Sequence, residues 1–296
     1  MGCGGAGTGT GRRTPENVPL ADRPSLPEPR SVAPERAGAG FARVRVGAVE
    51  VMAVSEAELL DHVAAGWRRG RGGAIVTANV DIVRAATRDP ALADLVTRSE
   101  IVVADGMPVV WASRLAGLAV PGRVTGASLV HSLTGRAARE SRSVYLLGGE
   151  PGVPEAAARV LAGRYPGLRV AGTCSPPFGF DGTPDGVREA VEGVVAAAPD
   201  LVLVGLGFPR QERVIEALRA ELPDAWYLGC GAGIPMAAGR FSRAPGPVQR
   251  VGAEWLYRLA LEPRRLARRY LRDDAPFAIT LLAGALRTRL TSRRHV

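Results

Sequence analysis

Between residues 74 and 233, short apolar runs alternate with segments of helical period, and most of the runs end in glycine or a small polar residue. The runs cover 74–76, 101–104, 143–147, 168–173, 200–204 and 225–228. Strands covered on both faces read as continuous apolar stretches. Their alternation with helices is the pattern of a mostly parallel, doubly wound sheet. The expected class is therefore α/β, with a Rossmann-like sheet flanked by helices. Ligands of such sheets sit outside the carboxyl ends of the strands, so the residues just after each run are the first candidates for chemistry.

The first run delivers Thr77 and Asn79, and the second delivers Asp105 followed by Gly106. A carboxylate at a strand end beside glycine suits a general base. It equally suits the cap of a helix starting near Met107, as Thr77 and Asn79 suit the cap of one starting at Val80. Arg123 opens an Arg-Val-Thr-Gly turn before a helix over 127–140. Gly148-Gly149 lies between a strand and the helix over 154–165, an arrangement that presents a helix N-terminus to phosphate. Gly205-x-Gly207 precedes a helix that contains Gln211. The third glycine of a dinucleotide fingerprint is missing there, which counts against an NAD site.

Upstream, residues 42–54 alternate apolar and polar side chains around Gly47-Ala48, as a β-hairpin does. Ser55 and Glu58 form a capping box that opens a helix through about Trp67. Asp89-Pro90 separates two short helices over 80–88 and 90–98. Residues 1–38 are rich in glycine, proline, arginine and glutamate, and are expected to be a disordered tail. The α/β core is expected over 39–250, with a basic amphipathic appendage over 251–296.

That appendage carries Arg258, Arg265, Arg268 and Arg269 near one side, with Trp255, Leu256, Leu259, Leu266 and Leu271 supplying an apolar side. Such a helix suits an anionic membrane surface. It also suits docking on the core with solvated arginines outside. The net charge is +9, and all 38 basic residues are arginine. Schiff-base and Walker-type lysine chemistry are thereby excluded, while the planar guanidinium suits phosphate. Three cysteines and three histidines are scattered, without the spacing of a zinc site. No secretory signal and no stretch of about 18–20 apolar residues is present, so a cytoplasmic, peripheral location is expected. Nucleic acid is not an expected partner.

Taken together, the blocks Thr77-Ala78-Asn79, Ala104-Asp105-Gly106, Arg123-Val124-Thr125-Gly126, Leu147-Gly148-Gly149, Gly205 to Glu212, Glu254-Trp255-Leu256-Tyr257-Arg258 and Glu262-Pro263-Arg264-Arg265 occur in a specific order. In this the chain resembles the WecG/TagA/CpsF family of bacterial glycosyltransferases over roughly residues 42–277. The resemblance implies inverting transfer of an N-acetylmannosamine-type or related hexose from a UDP-sugar to a polyprenyl-diphosphate-linked acceptor. It places that reaction at the inner face of the cell membrane, in cell-surface polysaccharide or teichoic acid synthesis.

It further implies catalysis without a metal or other cofactor, Asp105 as base, and Thr77, Asn79 and Gln211 in the pocket. Arg258, Arg265 and Arg268 match arginines that the appendage supplies. Motifs and resemblance together give a substrate-binding set of Thr77, Asn79, Gly106, Arg123, Gly148, Gly149, Gln211, Arg258, Arg265 and Arg268. Whether the tail completes its own pocket or a neighbour's in a homo-oligomer stays open. Ile234-Pro235-Met236-Ala237 departs from the aromatic and acidic character usual in the family. The alternatives are an NAD(P)-binding oxidoreductase and a non-catalytic membrane-binding module.

Overall fold

The computed structural model describes residues 40–241, 244–245, 248, 254–261 and 267–292. The expected disordered tail over 1–38 lies outside them, as does Arg265. Six parallel strands form one sheet: β3 (Gly73–Ala78), β4 (Ile101–Ala104), β5 (Ser143–Gly148), β6 (Arg169–Cys174), β7 (Leu201–Gly205) and β8 (Trp226–Gly229). Their order is β4-β3-β8-β7-β5-β6. The last strand in the chain thus sits in the middle, paired to β3 on one side and β7 on the other.

An antiparallel hairpin of β1 (Arg43–Val46) and β2 (Val49–Met52) precedes the sheet, as its alternating pattern predicts. Val44, Val46, Val49 and Val51 project from it into one apolar cluster with Val76, Val102, Val109 and Val110. Polar Arg43, Arg45 and Glu50 stay exposed between them.

Local signals set most helix starts. Ser55 and Glu58 form the expected reciprocal capping box at α1 (Glu56–Arg68). Asn79 caps α2 (Val80–Arg88), Asp89 caps α3 (Pro90–Thr97), and Thr125 caps α5 (Gly126–Arg139). Between them, α4 (Met107–Ala116) follows β4, with Gly106 as its N-cap. Further on come α6 (Val153–Arg164), α7 (Pro184–Ala197), α8 (Arg210–Glu221) and the short α9 (Gly233–Ala237). A 3-10 turn, Phe180–Gly182, lies between β6 and α7.

The side-chain alternation of the strands divides the core. Ile75, Val103, Leu146, Leu203 and Leu228 face one side, covered by α1, α5, α6 and α9. Tyr145, Val202, Val204 and Tyr227 face the other side, under α7 and α8. At about 1.5–3 kcal/mol for each fully buried large aliphatic residue, this burial is the main source of stability.

Two further helices complete the described chain, α10 (Glu254–Leu261) and α11 (Ala275–Ser292), the latter reached through a π-helical turn over Arg268–Asp274. Leu281 and Ala285 of α11 are buried in the cluster that holds Val109 and Val110 of α4. This helix therefore docks on the core and closes one side of the strand ends. Its Ile279, Leu286 and Leu290 remain exposed, Ile279 to 70%.

Candidate active site

The carboxyl ends of β3, β4, β7 and β8 open into one cavity of about 1060 Å³. Thr77, Asn79, Asp105, Gly106, Arg123 and Gln211 all line it. The fold therefore joins six candidates that span 135 positions of sequence, from Thr77 to Gln211.

Each has an identifiable mooring. Asp105 follows the last residue of β4, and its N–H donates to the Ala78 carbonyl at 2.9 Å, extending the β3–β4 ladder by one bond. Gly106, and no side chain, caps α4. Asn79 does cap, with Oδ1 accepting from the Ile82 N–H at 3.0 Å. Asn79 also lines the cavity, so one residue both caps a helix and borders the pocket. Val124 donates from its N–H to the Ala104 carbonyl at 2.9 Å, which hangs the Arg123 turn on the residue before Asp105.

Gln211 is 4% exposed and its polar atoms are engaged. Oε1 accepts from the N–H of Gly207 at 3.2 Å and of Gly231 at 3.1 Å. Nε2 donates to Glu212 Oε1 at 2.8 Å. Gln211 thus ties together the loops after β7 and β8. Gly229 makes room for it, since a Cβ there would meet Gln211 Nε2 at 2.7 Å. Behind this brace Glu212 is 3% exposed. Burial pushes its carboxyl up to about 7.

Three expected ligand contacts stand elsewhere. Gly148 and Gly149 do not line the cavity. Gly148 is needed for packing, because its φ is 110° and a Cβ would meet the Gly205 carbonyl oxygen at 2.7 Å. Glu150, two residues on, reaches the cavity instead. Arg268 is exposed in the π-helical turn and is absent from the lining. Arg258 belongs to α10, but its side chain is outside what is described.

Other lining residues were not singled out from the sequence as ligand contacts. Glu254 and Asp274 enter from the C-terminal segment. Glu254 Oε2 accepts from Arg123 Nη1 at 2.8 Å. Asp274 pairs with Arg84 of α2. Met107, Trp111, Phe241, Ile279 and Leu282 form an apolar flank continuous with the polar floor. Trp111 in a helix looks like core by periodicity, yet it is 44% exposed. Glu254 opens a block already recognised, but its partner lies 131 residues away and no local pattern reveals it. Among the described residues, no group of three His, Cys, Asp or Glu side chains is placed to hold a metal ion.

A polar floor at the parallel strand ends, several carboxylates, an arginine and an apolar flank could serve several transferases. Comparison with known proteins decides among them. Residues 44–291 match the model of the glycosyl transferase WecG/TagA/CpsF family. The chain belongs to that family. The WecG/TagA/CpsF match begins in the hairpin and runs to the end of α11, so it includes every element that lines the cavity.

Among its relatives is the N-acetylglucosaminyldiphosphoundecaprenol N-acetyl-beta-D-mannosaminyltransferase of Bacillus subtilis (strain 168). It is 30% identical over 211 residues, which is 71% of this chain and 79% of that one. The protein of the same description from Bacillus spizizenii (strain ATCC 23059 / NRRL B-14472 / W23) is 31% identical over 200 residues, 68% of this chain and 76% of its own. As a WecG/TagA/CpsF member the chain is a glycosyltransferase, and the oxidoreductase and non-catalytic readings fall away.

Proposed function

We propose that this glycosyltransferase moves an N-acetylmannosamine-type sugar, with inversion, from a UDP-sugar to a polyprenyl-diphosphate-linked acceptor at a membrane surface. The observation that carries the reading is the joint placement of Asp105 and Arg123 in one cavity with an apolar flank. The names of the two Bacillus relatives support the acceptor class and the transferred sugar.

In this mechanism an acceptor hydroxyl attacks the anomeric carbon of the donor from the face opposite the diphosphate. Asp105 takes the hydroxyl proton as the new glycosidic bond forms. The bond from the anomeric carbon to the diphosphate oxygen breaks, and its electron pair leaves with UDP. Arg123 stabilises the developing charge, with the helix N-termini around the cavity in support. The reaction is read as metal-independent, with guanidinium groups in place of a metal ion. Thr77 and Asn79 orient the donor, and Gln211 shapes the floor on which it rests. Arg258 and Arg265 are proposed to supply further positive charge from the appendage.

The apolar flank receives the first prenyl units of the acceptor, and the exposed side chains of α11 rest on the lipid surface. No helix among the described residues is long and apolar enough to cross a membrane. The test is UDP release with a lipid-linked acceptor analogue. Asp105→Asn is expected to lower kcat by about 10²–10⁴ with an unchanged melting temperature. Wild-type turnover in that variant would remove Asp105 as the base.

A further inference from the structure

Arg123 is anchored at both ends. Its stem hangs on β4 through the hydrogen bond from Val124 N–H to the Ala104 carbonyl, one residue before Asp105. Its tip is gripped by Glu254 of α10, Nη1 to Oε2 at 2.8 Å. The two side chains are only 15% and 11% exposed, so the pair is shielded from solvent. Glu254 occupies one guanidinium nitrogen. The Nε and Nη2 hydrogens have no acceptor among the described residues. The charged groups lining the cavity among those residues are Asp81, Asp105, Arg123, Glu150, Glu254 and Asp274. Asp81 and Asp274 are themselves paired to Arg84. Arg123 is thus the described lining residue able to attract an anion, and its direction is set by a carboxylate from the C-terminal segment.

We infer that Glu254 is a positioning residue, which aims the free edge of the Arg123 guanidinium at the donor diphosphate and so makes donor binding depend on α10 being docked. This rests on the donor site proposed above. A guanidinium is a planar fork, and its bidentate use against phosphate requires the plane to be set beforehand. An arginine held only by its stem would sample many rotamers and fold back on Asp105 or Glu150. The grip of Glu254 removes those states and leaves the Nε/Nη2 edge for phosphate oxygens. The stem bond fixes where that edge lies relative to Asp105, so base and cation are held at one separation.

The test is a double-mutant cycle on UDP affinity, measured calorimetrically on the full chain with wild type, Arg123→Ala, Glu254→Ala and the double variant. Each single variant is expected to weaken UDP binding about tenfold or more, and the double variant to bind no more weakly than Arg123→Ala alone. In turnover, Glu254→Ala is expected to raise the KM for the UDP-sugar while leaving the KM for the acceptor unchanged. Unchanged or tighter UDP binding by Glu254→Ala overturns the inference, and so do multiplicative effects in the cycle. Should Glu254→Ala lower the melting temperature, the isosteric Glu254→Gln takes its place in the same cycle and is judged by the same outcomes. A wild-type protein with no affinity for UDP would instead overturn the donor site itself, so the two failures are distinct.

Discussion

At the scale of single residues, the site is built from side chains that hold backbone as well as face the cavity. Asn79 caps a helix and lines the pocket. Gln211 bonds two glycine N–H groups and is held in turn by Glu212. Glu212 gives the clearest dependence on pH. Its carboxyl rises from 4.5 to about 7 on folding because burial disfavours the anion. Between those two values the unfolded chain has released a proton that the folded chain retains, so stability falls as pH rises through that window and levels off above it. The total fall across the window amounts to something on the order of 3 kcal/mol. Urea midpoints measured from pH 5 to pH 8 are expected to fall and then flatten, and Glu212→Gln is expected to abolish the fall. Gly229→Ala drives a methyl into the Gln211 amide. It is expected to destabilise by about 1–3 kcal/mol in denaturant unfolding and to weaken UDP binding as well.

Among the secondary elements, what could be read from sequence was whatever lies within a few residues of its cause. The capping box at Ser55 and Glu58, the Asp89-Pro90 break and the polar residues after β3 and β4 are local, and each stands where its pattern puts it. The Gly148-Gly149 pair misled because a glycine that admits phosphate and a glycine that admits a neighbouring carbonyl have the same sequence. Only the approach of Gly205 decides between them. Trp111 and Glu254 could not be placed for the same reason, since their exposure and partner depend on how distant segments dock. The contact of α11 with α4 is such a docking. Leu281 is buried in it. Leu281→Ala is expected to cost about 2–5 kcal/mol, seen as an early transition in hydrogen exchange confined to α11 and its neighbours. The departure at Ile234-Pro235-Met236-Ala237 is also an element-scale matter. Ile234 is fully buried, and Pro235 and Met236 line the cavity. Their exchange for acidic or aromatic residues is expected to change which UDP-sugar is preferred, readable in a donor screen.

For the molecule as a whole, the α/β class followed from strand–helix alternation, but the order of the strands did not. Parallel pairing joins segments far apart in the chain, and no periodicity encodes which neighbour a strand takes. The exposed Ile279, Leu286 and Leu290 lie on the helix that flanks the cavity. Replacing Leu286 and Leu290, which do not line the cavity, with glutamate is expected to reduce co-sedimentation with anionic vesicles several-fold while leaving UDP affinity unaltered. Raising the salt concentration is expected to weaken vesicle binding of the wild type, because screening acts on its arginines.

The central place of β8 bears on how the enzyme is made. The ribosome releases the β3–β4 pair and the three strands β5, β6 and β7 before Trp226–Gly229 emerges, and that last strand is the seam between β3 and β7. Until it zips in, the nascent chain carries two half-sheets with open flanks and no catalytic crevice. Such edges invite pairing with other chains. Polypeptides stalled before residue 226 are therefore expected to be captured by chaperones, and those released after the seam closes to escape them.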